Sequence, residues 1–298
     1  MAGGAAASFA LLSAIAIGST VAAEYTTWTP AANAEGVPGT STELNTSSLD
    51  GCPIQSPDGL SLYMASDRPD GLGGIDIWVA RRASANAPFS APINLGAPIN
   101  SAADDFCPTP VRGHGLFFVS TRTVPGACGG ADIYFARQNP ALGWSAPANI
   151  GCQANSAAGE AGPSYFETDG RAFLYFSSGP DIVVSHRQAD GSWGAAAAVA
   201  ELNSVAADLR PNVTKNGLEI VFDSNRLGTL GGQDLYFATR ASVDEPWSNP
   251  VNGGADLNTV ANETRGSFSW DGTTLYFGRA PGPEGMSDIF FSTRSKAH

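Results

Sequence analysis

A repeat of roughly 50 residues constrains the fold of this 298-residue chain more than any other feature. An Asn-Ser or Asn-Thr pair occurs five times, and an acidic residue follows each Asn five positions later. The acids are Asp50, Asp105, Glu160, Asp208 and Glu263. They are spaced by 55, 55, 48 and 55 residues, which indicates five copies of one structural unit.

Each unit continues with a turn signal, such as Asp58-Gly59 or Asn216-Gly217, and with two apolar segments. In four units the first segment leads into an arginine; these are Arg68, Arg122, Arg226 and Arg279. In the same units the second segment begins at an aspartate; these are Asp76, Asp132, Asp234 and Asp288. Apolar runs separated by Asn-Gly or Asp-Gly are typical of β-hairpins. Three or four short strands in each unit predict the blade of a β-propeller.

A fourth strand is predicted at residues 89–95, 144–150, 193–199 and 247–253, each of which starts with a Trp or Phe that is followed, except in 193–199, by Pro and Asn. The fifth unit has no such segment after its last strand, but residues 28–33 provide one at the other end of the chain. We therefore expect an all-β fold, a single five-bladed β-propeller whose ring is closed by an N-terminal outer strand in the last blade. Closure removes the open sheet edge that would otherwise pair with another chain.

The first unit resembles the WD40-like, or PD40, repeat of the TolB family of propellers. The resemblance is carried by residues 56–59 (Ser-Pro-Asp-Gly), 62–68 and 73–78, and it extends over about residues 25–298. It implies a propeller fold and says little about function. TolB has more blades and a separate N-terminal domain, for which this chain has no room, so the partners of TolB are not carried over.

Charge excludes one class of function. The chain has 28 acidic and 16 basic residues and a net charge of −12. Proteins that bind nucleic acid need a basic face to displace counterions from phosphates, so we expect no nucleic acid partner. An acidic surface favours solubility or attracts cations.

The N-terminal segment predicts export. Residues 5–23 are an Ala-rich apolar run that ends in Val21-Ala22-Ala23, which is typical of a signal peptidase site. We assign residues 1–23 to a signal peptide, residues 24–298 to the propeller, and the protein to the periplasm or the extracellular space. The run is too short for a stable membrane span. Because residues 1–7 carry no positive charge, the alternative is an untargeted apolar tail.

The cysteines are Cys52, Cys107, Cys128 and Cys152, and export favours disulfides. Cys52 and Cys107 occupy matching positions in adjacent units, and Cys128 and Cys152 lie in loops that open on the same face. We favour these two pairings. A Cys107–Cys128 pair and free thiols remain as alternatives.

The repeated acids begin the inner strands, which would place them around one mouth of the central channel. A cation such as Ca²⁺, or a polar ligand, would find several oxygen atoms there. In the alternative each acid caps backbone N–H groups or pairs with an arginine. Structural sets would then involve Arg68, Asp76, Arg122, Asp132, Arg226, Asp234, Arg279 and Asp288. Apart from Ca²⁺, no cofactor is expected.

Glu160 differs from the other acids, since its unit has Gly179 where the others have arginine and is seven residues shorter by the spacing of the acids. It is the one candidate for a catalytic carboxylate, with Asp105 or Asp208 as its partner. Glycoside hydrolysis requires two such groups with different pKa values.

Two functions are compatible with these patterns. Regular repeats without an asymmetric catalytic set favour a non-enzymatic scaffold that binds a protein or a polysaccharide at the face carrying the inter-blade and Gly-Gly loops. The alternative is a carbohydrate-active hydrolase or lyase with carboxylates at the channel mouth. The enzyme requires a pocket at Glu160, whereas the scaffold requires every acid to be held by an arginine or an N–H group.

Overall fold

Five antiparallel sheets make up the computed structural model, which describes residues 25–297. The first strand, β1 (Ala32–Asn33), is followed by a short 3₁₀ helix at Ala34–Gly36. Blade one contains β2 (Asp50–Gln55), β3 (Ser61–Ser66), β4 (Asp76–Arg81) and β5 (Ile93–Asn94). Blade two contains β6 (Asp105–Val111), β7 (Gly115–Ser120), β8 (Asp132–Asn139), β9 (Gly143–Trp144) and β10 (Ala148–Asn149).

The remaining blades follow the same order from the inner to the outer strand. Blade three contains β11 (Glu160–Thr168), β12 (Arg171–Ser178), β13 (Asp181–His186) and β14 (Ala197–Ala198). Blade four contains β15 (Asp208–Val213), β16 (Glu219–Ser224), β17 (Asp234–Thr239) and β18 (Val251–Asn252). Blade five contains β19 (Asn262–Phe268), β20 (Thr274–Ala280) and β21 (Asp288–Thr293). The predicted five-bladed propeller is confirmed.

Strand alternation explains why the sheets stack around a ring. Successive side chains of a strand point to opposite faces. In β3, Leu62 and Met64 pack with Ile289 of blade five, whereas Tyr63 packs with Phe118 of blade two. Both faces of β3 are therefore buried, and each blade shares one hydrophobic core with each of its neighbours.

The ring closes through the N-terminal segment, as predicted. In β1, Ala32 and Asn33 pair with Phe291 and Phe290 of β21, so β1 is the outer strand of blade five. Ahead of it, the N–H of Thr29 donates to the carbonyl of Thr293 at 2.9 Å. The last blade thus uses both ends of the described chain, and its outer edge is covered.

The repeated asparagine joins consecutive blades. Asn100, at the entry to blade two, accepts a hydrogen bond from the N–H of Ile77 in blade one and donates one to the carbonyl of the same residue, both at 2.9 Å. The equivalent pairs are Asn45–Ile289, Asn155–Ile133, Asn203–Ile182 and Asn258–Leu235. We call this contact the asparagine clamp. It supplies hydrogen bonds to backbone groups that would otherwise be buried without a partner.

Two faces of the ring are distinguished below. The hairpin face carries the turns between the first and second strands of each blade, and the loop face carries the inter-blade and Gly-Gly loops. Within residues 25–297, no helix combines the length and the apolar character that crossing a membrane requires. The predicted signal peptide at residues 1–23 lies outside the described residues.

Candidate functional site

The five repeated acids are buried rather than open to a channel mouth, with exposed fractions of 0–2%. Four pair with the arginine of their own blade: Asp50 with Arg68 at 2.5 Å, Asp105 with Arg122 at 2.6 Å, Asp208 with Arg226 at 2.5 Å and Glu263 with Arg279 at 2.7 Å. Each acid also accepts hydrogen bonds from the Ser or Thr of the repeat. Of the two interpretations of these acids, the contacts agree with the one in which arginines and local donors hold the carboxylates, and they do not form an open ring.

The second set of repeated aspartates holds loops instead of binding arginine. Asp76 accepts from the N–H groups of Leu72 and Gly73 and from the side chain of Asn94. Asp234 accepts in the same way from Leu230 and from Asn252, both at 2.7 Å. In residues 25–297 the ion pairs do not include Asp76, Asp132, Asp234 or Asp288. The expected Asp–Arg–Asp sets are thus Asp–Arg pairs with a separate loop-capping aspartate.

Glu160 is the exception among the acids, but it does not line a described cavity. One carboxylate oxygen accepts from the N–H and hydroxyl of Ser156, at 2.9 and 2.6 Å, and from Ser178 at 3.1 Å. The other oxygen has no partner within the described residues. Burial raises the pKa of Glu160. A substrate would not reach this carboxyl group, because it is only 2% exposed.

The ring axis is filled by an arginine. Arg265 of blade five is fully buried and donates to the carbonyls of Pro163 and Pro211, at 3.1 and 3.3 Å, and to the hydroxyl of Thr109 at 3.0 Å. These acceptors belong to blades three, four and two. Burial lowers the pKa of Arg265 to about 9, so the guanidinium remains charged at neutral pH.

Both disulfides have the favoured pairing. Cys52 and Cys107 join the inner strands of blades one and two, with a Cα–Cα distance of 5.0 Å. Cys128 and Cys152 join two loops, with a Cα–Cα distance of 5.4 Å. Among residues 25–297 no group of three or more His, Cys, Asp or Glu side chains could hold a metal ion. The site considered for Ca²⁺ is therefore not formed by these residues.

A cavity of about 570 Å³ opens on the hairpin face, opposite the face expected to bind a partner. Its walls are supplied by the inner strands of blades two and three, by the second and third strands of blade two, by Arg187 after the third strand of blade three, and by the hairpin turns of blades four and five. Its aromatic residues are Phe117, Phe135, Tyr165, Phe166 and Trp270. Its charged residues are Arg112, Arg137, Glu167, Arg187 and Lys215. We call it the hairpin-face cavity. Its size and mixture of aromatic and polar groups are typical of small-molecule sites.

Tyr165 and Glu167 form a hydrogen-bonded pair in this cavity. They are two residues apart on β11, which places both side chains on one face of the strand. The phenol of Tyr165 donates to a carboxylate oxygen of Glu167 at 2.6 Å. Tyr165 is held in place by Phe117, stacked at 5.6 Å between ring centroids, and by the edge of Trp193. Burial and the bond to Glu167 raise the pKa of Tyr165 to about 12.

Trp270 forms the opposite wall with two cations. The guanidinium of Arg112 lies 4.5 Å from the centre of the indole ring, and the ammonium of Lys215 lies 5.9 Å from it. Cations over an aromatic face are held by the ring quadrupole. Trp270 thus orients two positive groups from blades two and four beside the cavity.

Comparison with solved structures shows a shared fold. The α-L-arabinofuranosidase of Podospora anserina, in complex with cellotriose, is 12% identical, with a TM-score of 0.57 over 92% of this chain and 98% of that chain. A thermostable family-43 glycoside hydrolase is 12% identical, with a TM-score of 0.55 over 87% and 93%. A xylan β-1,4-xylosidase from Bacillus halodurans is 15% identical, with a TM-score of 0.54 over 87% and 54%.

No family model matches the sequence, and no curated protein does. The propeller that the TolB resemblance implied is supported, and the finer PD40 assignment is not. Most of the similar solved structures are glycoside hydrolases. These neighbours count against the expectation of a non-enzymatic binding scaffold, which is therefore corrected.

Sequence reasoning missed the residues of the hairpin-face cavity. The sequence predicted no functional role for Trp270, Tyr165 or Glu167. One feature of the sequence could have pointed to two of the cavity residues. Lys215 and Trp270 stand before equivalent turns, where blade one has Pro57, and this departure from the repeat marks positions that the fold does not require.

Proposed function

We propose that this protein is a carbohydrate-active hydrolase that binds its substrate in the hairpin-face cavity. The observation that carries the proposal is the Tyr165–Glu167 pair, held at 2.6 Å in an aromatic-lined cavity. The likeness of the fold to glycoside hydrolases supports the same reaction class.

The surface around the cavity suits an extended chain of sugars. A second depression of about 550 Å³, on blades one and two, shares Val111 and Arg112 with the cavity. A third, of about 450 Å³ on blade three, shares Glu167 and Arg187 with it. Because both depressions share lining residues with the cavity, neighbouring sugars of a chain would have room on either side of it, which favours a polymer over a single sugar.

The proposed reaction uses Tyr165 as nucleophile and Glu167 as base. Because its pKa is raised, the phenol is protonated at neutral pH and needs a base to react. Glu167 accepts the phenol proton as the oxygen bonds to the anomeric carbon and the glycosidic bond breaks. The leaving oxygen, which departs on the opposite side of the anomeric carbon, takes its proton from solvent. In a second step a water molecule displaces Tyr165 and gives one of its protons to the phenolate, while Glu167 returns its proton to solvent, which restores both side chains. A tyrosine nucleophile is a known exception to the usual carboxylate pair.

The test is an activity screen on soluble polysaccharides, with Tyr165→Phe and Glu167→Gln as variants. Each should lower kcat by about 100-fold or more, since each removes a group that reacts or transfers a proton. Glu160→Gln is the control and should retain activity. Unchanged activity in both cavity variants would contradict the proposed pair. Products lacking the added water would indicate elimination and would contradict hydrolysis.

We also propose that the protein is exported, with residues 1–23 as its signal peptide and the propeller as the mature domain. Two disulfides support an oxidising compartment. N-terminal sequencing of the protein secreted by a bacterial host tests this proposal. A mature chain that begins at Glu24 is expected, and an intact Met1 on cytoplasmic protein would contradict it.

A further inference from the structure

Four cations line the hairpin-face cavity without an ion-pair partner. They are Arg112, Arg137, Arg187 and Lys215, and none of them is within 4.0 Å of a carboxylate oxygen in residues 25–297. All four are exposed. They are a quarter of the 16 basic residues in a chain whose net charge is −12. Their convergence makes the cavity positive within an otherwise acidic protein.

Elsewhere in the described chain, many arginines are neutralised. Arg68, Arg122, Arg226 and Arg279 pair with the repeated acids, and Arg294 pairs with Glu219 at 2.6 Å. Of the described residues that line the cavity, Glu167 is the one with a carboxylate, and it already accepts the phenol of Tyr165. Unpaired like charges in one concavity repel each other and favour an anion between them.

We infer that the cavity binds a carboxylated sugar, such as a uronic acid unit of an acidic polysaccharide. Three of the four cations are arginines, whose planar fork of donors matches a carboxylate in a bidentate geometry. Tyr165 provides an aromatic surface for the ring of the same sugar. This inference rests on the proposed function for its ligand class, and it adds the charge of the substrate.

The Tyr165–Glu167 pair is consistent with an anionic substrate. A carboxylate nucleophile would be repelled by a carboxylate on the sugar that it attacks. A phenol is neutral until its proton is transferred, so it approaches the anomeric carbon without that repulsion. Cations beside the cavity then hold the sugar carboxylate away from Glu167.

The experiment measures binding by calorimetry with three probes: tetragalacturonate, its methyl ester, and neutral xylotetraose. Tetragalacturonate should bind at least about tenfold more tightly than the other two, because only its carboxylates accept charge-assisted hydrogen bonds. Its affinity should fall as NaCl is raised. Equal binding of the methyl ester, or of xylotetraose, would overturn the inference.

Two single-residue variants test whether the preference for tetragalacturonate arises at the cavity. Arg187→Gln should weaken tetragalacturonate binding by about tenfold and leave the affinity for xylotetraose unchanged. Lys296→Gln makes the same change of charge at an exposed position outside the cavity and should have no effect. An equal loss in both variants would indicate attraction by net charge alone and would contradict a built site.

Separate measurements of binding and of hydrolysis distinguish a failure of this inference from a failure of the proposed function. If tetragalacturonate binds at the cavity and no polysaccharide is hydrolysed, the inference stands and the hydrolase proposal fails. If neutral oligosaccharides are hydrolysed and tetragalacturonate does not bind, the hydrolase proposal stands and this inference fails.

Discussion

At the scale of single residues, equivalent positions of the repeat have diverged in ways that the backbone explains. The second residue after each repeated acid has a positive φ, at Cys52, Cys107, Arg210 and Arg265, and at Gly162 in blade three. A register shift in each inner strand accompanies it. This β-bulge is therefore a property of the fold, whereas the side chain at the bulge differs between blades. It forms a disulfide at Cys52 and Cys107, an ion pair with Asp223 at Arg210, and the buried contacts of the ring axis at Arg265.

At Gly162 a positive φ is combined with surroundings that leave no room for a Cβ atom. Its φ is +58°, and an added Cβ would lie 2.5 Å from the Cα of Arg210. We expect Gly162→Ala to lower the free energy of unfolding by roughly 2 kcal/mol or more. Gly170→Ala is the matched control, since φ there is +73° and the space is open. Urea unfolding that shows equal losses in the two variants would disprove the steric contribution.

Glu160 should make stability depend on pH. Its pKa is raised in the folded state by burial, so the folded protein holds this proton more tightly than the unfolded chain does. Stability contributed by this group is therefore lost as pH rises above about 4.3, the ordinary glutamate pKa. Relative to Glu160→Gln, the wild type should become less stable with rising pH in urea titrations. Glu201→Gln at the surface should show no such trend.

At the scale of elements, hydrogen bonds between blades account for the repeat better than a functional site does. The asparagine clamp joins each inner-strand entry to the third strand of the preceding blade, and the acid–arginine pair fixes the same loop. The Gly-Gly loop packs against the next blade, where an added Cβ on Gly73 would lie 2.0 Å from the carbonyl oxygen of Ala103. The recurrence of these residues is thus a requirement of blade packing.

The asparagine clamp predicts that the loss of stability on substitution is larger where the asparagine is more deeply buried. Asn258 is 1% exposed and bonds to the N–H and carbonyl of Leu235 at 2.8 and 3.0 Å. Asn258→Leu should lower the free energy of unfolding by about 2–3 kcal/mol, because it leaves buried backbone groups unpaired. Asn203→Leu, at the partly exposed equivalent, should cost less. A larger loss at Asn203 would contradict this explanation.

The strands and their pairing could be predicted because period, turn chemistry and alternation are local properties. By contrast, the sequence did not show that the repeated acids are buried instead of lying around an open mouth of the channel. Their positions along the strands were predictable, but the groups that would occupy their oxygens were not. Asp76 illustrates this limit, since its partners lie on a loop whose path depends on packing against the next blade.

At the scale of the whole molecule, two features hold the ring together. The N-terminal strand β1 covers the edge of β21, and Arg265 connects the inner strands of four blades at the axis. The strand β1 acts at the outer edge of blade five, and Arg265 acts at the centre of the ring. Both join parts of the chain that are distant in sequence, which suits a fold that needs every blade to bury its neighbours.

Removal of the closing strand should open the ring. A chain that begins at Ala34 lacks β1 and exposes β21, so its Tm should fall by roughly 5 °C or more and it should self-associate. A chain that begins at Tyr25 keeps β1 and should match the wild type. Calorimetry and light scattering measure the two effects. Equal Tm values for the two truncated chains would show that closure contributes little.

The sequence by itself determined the five blades and the closing strand, because both follow from spacing that is repeated along the chain, whereas the tertiary structure decided between the cysteine pairings that the sequence left open. Only the tertiary structure decided that the acids are buried, that Arg265 fills the axis and that the cavity opens on the hairpin face. That cavity draws Arg112, Tyr165, Lys215 and Trp270 from four different blades. Positions that meet only when the ring closes leave no periodic signal, so a repeat cannot predict them.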